Sequence, residues 1–129
     1  ELDSATTFSD VAVGNVSACA ITVSGAIKCW GSNSAGQLGD GTNRTTMVPV
    51  SVIGLGNSVA TSISAGYRHF CATTTQGLVY CWGDNSKDQL GFTGADSKSA
   101  VLVPGIGTAV DVSVGDYHSC VLTDKRNCN

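Results

Sequence analysis

The chain repeats itself, and a repeat restricts what a 129-residue sequence can fold into more than any composition does. At an offset of 52 residues, Gly14, Cys19 and Ala20 meet Gly66, Cys71 and Ala72. The match continues through Gly25 with Gly77, and Cys29-Trp30-Gly31 with Cys81-Trp82-Gly83. Asn33 then meets Asn85, and Gln37-Leu38-Gly39 meets Gln89-Leu90-Gly91. A third copy begins 49 residues further on, with Gly115, His118 and Cys120. The units are read as residues 10–61, 62–110 and a partial 111–129, preceded by a segment 1–9.

Each unit reads as β-structure. Val11-Ala12-Val13, Ile63-Ser64-Ala65 and Val112-Ser113-Val114 are short runs closed by a glycine, as a strand is closed by a turn. Cys19–Thr22 and Ala26–Trp30 form two further runs joined through Val23-Ser24-Gly25, and Thr75-Gln76-Gly77 takes the same place in the second copy. A three-residue connection ending in glycine fits a hairpin whose last loop residue is left-handed. A fourth strand is expected at Val48–Val52, with Pro49 marking an exposed edge. No stretch carries a sustained 3.6-residue apolar period, so helix is not expected. Four short strands in a period of about fifty residues predict an all-β fold of propeller-type blades, two complete and one partial.

The cysteines fit that register. Positions 19 and 29 lie equally far from Ser24, and 71 and 81 equally far from Gln76, so each pair is directly opposed across its hairpin. Opposed residues at a non-hydrogen-bonded site sit about 4.5 Å apart, within reach of a disulfide. The expected bridges are Cys19–Cys29 and Cys71–Cys81, with Cys120–Cys128 as a third at a shorter spacing. Six cysteines in a small, loop-rich chain favour an oxidising compartment, and no CxxC pair suggests zinc. No basic, apolar leader stands at residues 1–10; a secretory signal, if there is one, is expected to have been removed or omitted.

These elements together resemble the repeat of the regulator of chromosome condensation family. The carrying residues are Gly66, His69, Cys71 and Ala72, then Gly77, Val79, Cys81, Trp82, Gly83 and Asn85, and Gly36-Gln37-Leu38-Gly39-Asp40-Gly41-Thr42. The paired cysteines look like the variant found in secreted bacterial members, which implies an extracellular, bacterial location. The resemblance also implies a non-enzymatic module whose loops meet partner proteins; known roles include nucleotide exchange on a small GTPase and inhibition of a secreted β-lactamase. The sequence departs from the pattern at Ser17, which stands where later copies have His69 and His118. It departs again at Asp88 for Gly36 and at Phe92-Thr93-Gly94 for Asp40-Gly41-Thr42.

Function classes can be narrowed further. With seven basic against ten acidic residues the net charge is −3, which argues against a nucleic-acid binder working through a basic field. No apolar run approaches the roughly 20 residues of a membrane-spanning helix. His69 and His118 share one repeat position, so they belong to different blades and read as packing residues rather than as a catalytic pair. Asp40, Asp84 and Asp96 lack calcium-loop spacing. The sequence thus nominates no catalytic residue, cofactor or metal. Trp30 and Trp82 are expected to pack between blades. Asn15-Val16-Ser17 and Asn43-Arg44-Thr45 are candidate glycosylation sites. Tyr67 and Tyr117, recurring near blade turns, keep a carbohydrate-binding alternative open.

Two and a half blades do not close a ring, which needs at least about four. Further blades are expected from a longer polypeptide or from copies joined head to tail, as a ring or an extracellular filament. In the second case the segment Leu2–Phe8 is the expected strand donor to a neighbour's third blade.

Overall fold

The computed structural model describes residues 8–14, 16–86, 90, 94–103, 109–114 and 119–123. All regular structure among them is β. Strands β1 (Phe8–Val13), β2 (Ser17–Thr22), β3 (Ile27–Gly31) and β4 (Thr46–Ser51) form one antiparallel sheet in the order β1-β2-β3-β4. Strands β5 (Ala60–Ala65), β6 (His69–Thr74), β7 (Val79–Gly83) and β8 (Ser97–Leu102) repeat that order in a second sheet. Strands β9 (Ala109–Val114) and β10 (Ser119–Thr123) pair as the start of a third. These are two four-stranded blades and part of another, as the repeat predicts.

The hairpins follow from three residues each. In blade 1, Thr22 N–H donates to the Ala26 carbonyl (2.8 Å) and Gly25 N–H returns to the Thr22 carbonyl (2.9 Å). That closure needs Gly25 at φ 89°, a region costly to any residue with a Cβ. Blade 2 repeats it with Thr74, Leu78 and Gly77, at φ 78°. The turn sets the register, which places Cys19 opposite Cys29 and Cys71 opposite Cys81. Both pairs are bonded, with Cα atoms 4.0 and 4.1 Å apart. Cys120 belongs to β10 and Cys128 lies outside the described residues, as do Asn15, Tyr117 and His118, so the third bridge falls outside this description.

The strand limits differ in detail from the sequence reading. The fourth strand starts at Thr46, two residues before Val48, because a bulge between Cys29 and Gly31 lets Thr46 pair opposite Gly31. Each sheet begins two residues ahead of the unit boundary read from the repeat, at Phe8, Ala60 and Ala109. Phe8, assigned above to a donor segment, pairs with Thr22 of its own blade. Residues 1–7 lie outside the described set.

Blades stack face to face. One apolar cluster lies between blades 1 and 2, built from Cys19, Ile21, Ile27, Cys29, Leu38, Val52 and Leu55 on one side and Ile63, Phe70, Trp82 and Ala100 on the other. A second joins Cys71, Val79, Cys81 and Leu90 to Val112 of β9. Both disulfides therefore belong to inter-blade cores and are shut off from solvent. Successive first strands adjoin, β1 against β5 and β5 against β9. Asp10 ties the first two together: its Oδ1 accepts from Val11 N–H (3.0 Å) and its Oδ2 from Ile63 N–H (3.2 Å).

Each bridge closes a ten-residue separation, for which chain entropy in the unfolded state predicts about 2–3 kcal/mol of stabilisation. Replacing both Cys19 and Cys29 by Ala is expected to lower the unfolding free energy by about that amount, plus a smaller packing loss, measured by urea denaturation against the oxidised parent.

Candidate interaction faces

The long loop after β3 carries the densest side-chain bonding in the described chain, and Asn33 organises it. Its Oδ1 accepts from Leu38 N–H (2.9 Å), while its Nδ2 donates to the carbonyls of Thr42 (2.9 Å) and Arg44 (3.1 Å). Asn85 does the same in blade 2, accepting from Leu90 N–H (3.0 Å) and donating to the Gly94 carbonyl (3.2 Å). Both amides are buried, where an unmet polar group would be costly. They hold Leu38 and Leu90 so that each enters an inter-blade core.

The loop of blade 1 is the seat on which blade 2 rests. Trp82, fully buried, donates its indole Nε1–H to the Gln37 carbonyl at 3.0 Å. Gly39 lies close to that ring; a Cβ there would stand 3.0 Å from Trp82 Cδ1. The Gln37 side chain folds back to accept from Ala35 N–H at 2.8 Å. The same loop and the segment after β4 also cover the outer edge of β8. Gly41 N–H donates to the Lys98 carbonyl (2.7 Å), and Ala100 N–H donates to the Ile53 carbonyl (2.8 Å).

The other sequence-nominated residues are dispersed. The aspartates cap turns: Asp40 accepts from the amide and hydroxyl of Thr42 (3.0 and 2.7 Å), and Asp96 accepts from Asn85 N–H (2.8 Å). Among the described residues no three acidic, His or Cys side chains come together as a metal site. His69 is buried in β6 opposite Gly83. Tyr67 is half-buried with the Arg68 guanidinium 5.7 Å above its ring. Asn43 is exposed, yet its Nδ2 donates to the carbonyls of Asn33 (3.3 Å) and Ser34 (3.2 Å), which ties this sequon into the loop.

Among the described residues, Asp84 is a carboxyl whose pKa is displaced by its surroundings. Partial burial pushes its pKa up, but bonds from the Ser86 amide and hydroxyl, a bond shared with Asp96 and the Arg68 charge outweigh it and hold the group below the usual carboxylate range.

Because blades 1 and 2 are copies, each position on the front of blade 1 can be compared with its counterpart at the joint. Ile63, Trp82 and Ala100 are buried against blade 1. Their counterparts Val11, Trp30 and Pro49 have no blade before them among the described residues. Val11 is 53% exposed, against 7% for Ile63, and Trp30 and Pro49 are half-buried. Val13, Val16 and Met47 extend the same exposed apolar face. The difference between Trp30 and Trp82 is one of neighbours; both occupy the same site of the repeat, and only a view of the assembled joint separates them.

Comparison with known proteins places the chain in context. The regulator of chromosome condensation (RCC1) repeat matches residues 24–73 and 76–122, and a second form of the same repeat matches 8–37 and 60–89. The ultraviolet-B receptor UVR8 of Arabidopsis thaliana is 35% identical over 123 residues, covering 93% of this chain and 28% of UVR8. The crystal structure of human WBSCR16 superimposes with a TM-score of 0.87 at 20% identity, covering 97% of this chain and 33% of that one. Prp20p from Saccharomyces cerevisiae, described together with its binding to Gsp1p and histones, gives 0.81 at 19% identity over 91% and 31%. The chain thus spans about a quarter to a third of the proteins it matches.

Two outcomes are expected from this geometry. Trp82→Ala should cost about 3–5 kcal/mol of unfolding free energy, the range for emptying a buried aromatic site, and Trp30→Ala well under half as much, both by urea titration. Asp84, depressed in the folded chain, contributes stability that is fully present above the ordinary carboxylate pKa and fades as pH falls through the folded value. Stability measured below about pH 4 should therefore decline less in Asp84→Asn than in the parent.

Proposed function

The chain belongs to the regulator of chromosome condensation (RCC1) repeat family, and on that premise we propose that it is a non-enzymatic, extracellular interaction module whose arc is completed by further blades joined head to tail. The observation that carries this reading is the front of blade 1. Val11, Val13, Val16 and Met47 are all more than half exposed on one face, whereas Ile63, the counterpart of Val11, is buried against blade 1 and Ala65, the counterpart of Val13, is half-buried. A contiguous apolar face of this kind marks a contact site. The bonds that fix blade 2 on blade 1 give the pattern for head-to-tail contacts: an indole N–H to a turn carbonyl and main-chain bonds along the outer strand. Such contacts are heterologous and yield a ring or a filament according to whether the rotation closes.

Protein binding is supported by the fold. The Prp20p propeller is described as binding Gsp1p and histones, and here too the loops between strands stand on rigid blades. The two described disulfides and the sparse charge agree with an exported chain. The alternative source of the missing blades is the rest of a longer polypeptide, which then presents the completed propeller to its partner.

Native mass spectrometry and sedimentation of the chain over micromolar to millimolar concentration test the assembly. The expected result is mass that grows with concentration and reverts to monomer on Val13→Asp. A monomer throughout that range, with an unchanged fold, overturns self-assembly and leaves the single-polypeptide propeller.

A further inference from the structure

The Cys19–Cys29 bridge is covered by the blade that follows it. Both cysteines are fully buried, although the turn joining their strands stands in solvent, with Val23 70% exposed. What hides the sulfurs is the apolar cluster on the side of blade 1 that faces blade 2. Ile63, Phe70, Trp82 and Ala100 enter that cluster from blade 2, and Leu38 enters it from the loop on which Trp82 rests. A thiolate has to touch one sulfur to attack a disulfide, and these groups stand in its way.

The cover is fastened at its edges. At the inner strands Ile63 N–H donates to Asp10 Oδ2 (3.2 Å). At the loop the Trp82 indole N–H donates to the Gln37 carbonyl (3.0 Å). At the outer strand Ala100 N–H donates to the Ile53 carbonyl (2.8 Å), and Gly41 N–H to the Lys98 carbonyl (2.7 Å). The ladders of the two sheets do not cross this joint, so blade 2 can lift from blade 1 with both sheets intact. Residues 52–59 then remain as the main-chain tether between them. Openings of this sub-global kind cost less free energy than unfolding the whole chain.

We propose that blade 2 is a lid over Cys19–Cys29 and that the bridge is a redox sensor of joint opening: it resists a dithiol while the joint is shut and is reduced when blade 2 lifts. One thiolate of the dithiol attacks a sulfur of the bridge, the S–S bond breaks, and the other cysteine leaves as a thiolate that takes a proton from water. The second thiol of the reductant, deprotonated, attacks the mixed disulfide and releases the remaining cysteine. Two electrons pass to the protein, and the dithiol becomes a disulfide. Cys71–Cys81 lies under a different cover, packed with Val79 and Leu90 against Val112 of β9. Lifting blade 2 from blade 1 leaves that cover in place, so the two bridges report two joints separately. The device belongs to the internal joint and does not depend on where further blades come from.

The test follows the loss of each bridge in the oxidised whole chain under dithiothreitol, by iodoacetamide quenching and peptide mapping. Cys19–Cys29 should be lost about a hundredfold or more slowly than in the same chain unfolded in urea. Asp10→Ala removes the acceptor for Ile63 N–H and leaves the apolar cluster untouched. It should speed the loss of Cys19–Cys29 by about tenfold, the effect of one hydrogen bond to a charged group. The Cys71–Cys81 rate in that variant should stay within about twofold of the parent, as expected of an independent site. Trp82→Ala, which removes the centre of the lid, should speed the loss of Cys19–Cys29 further; if it does not fold, Asp10→Ala carries the test alone. An unchanged Cys19–Cys29 rate in Asp10→Ala overturns the proposal, because the joint is then not the gate. Equal acceleration of both bridges also overturns it, since global unfolding then admits the reductant. So does a parent chain whose Cys19–Cys29 is lost as fast as in urea.

Discussion

The contact between the Trp82 indole and the Gly-Gln-Leu-Gly turn of the preceding blade holds the two described blades together. One ring meets three demands at once. Its N–H satisfies the Gln37 carbonyl, its Cδ1–Nε1 side abuts Gly39, and its bulk shares a core with Leu38 and the Cys19–Cys29 bridge. Each residue of the turn is needed for a separate reason. Gly39 allows the close approach, Leu38 fills the core, and Asn33 at the loop's start holds Leu38 in place through its main chain. A single four-stranded sheet has two faces to cover and cannot cover either by itself, so stability in this architecture resides in the joints.

Much of this was legible in the sequence. The glycines that end each three-residue hairpin loop fix the register of β2 with β3 and of β6 with β7, and opposition of the cysteines follows by counting. The fourth strand, expected at Val48–Val52, begins two residues earlier and ends one residue earlier, because the bulge at Cys29 to Gly31 depends on main-chain geometry that side-chain type does not encode. Asn33 and Asn85 recur with the repeat, but nothing in their identity tells a loop-organising amide from an exposed one until its partners are seen. Periodicity reports which positions are equivalent. It does not report their surroundings, and so it could not separate Trp30 from Trp82.

The two blades therefore differ in ways a repeat alignment treats as noise. Asp10 bridges the first strands of blades 1 and 2 through both carboxylate oxygens, while its counterpart Ser62 bonds within its own blade to the Thr73 hydroxyl. Pro49 occupies an edge strand where a donor would otherwise invite a neighbour's carbonyl, which discourages indiscriminate strand pairing at that edge. At the internal joint, then, main-chain and side-chain bonds add direction to the apolar contact.

The disulfides have a consequence beyond stability. Each joins cysteines ten positions apart within a single hairpin, and neither spans two blades. A blade can be duplicated, deleted or exchanged as one block of coding sequence without orphaning a cysteine. During synthesis the second cysteine of each pair emerges within ten residues of the first, so the correct partner is at hand before any rival from the next blade has left the ribosome.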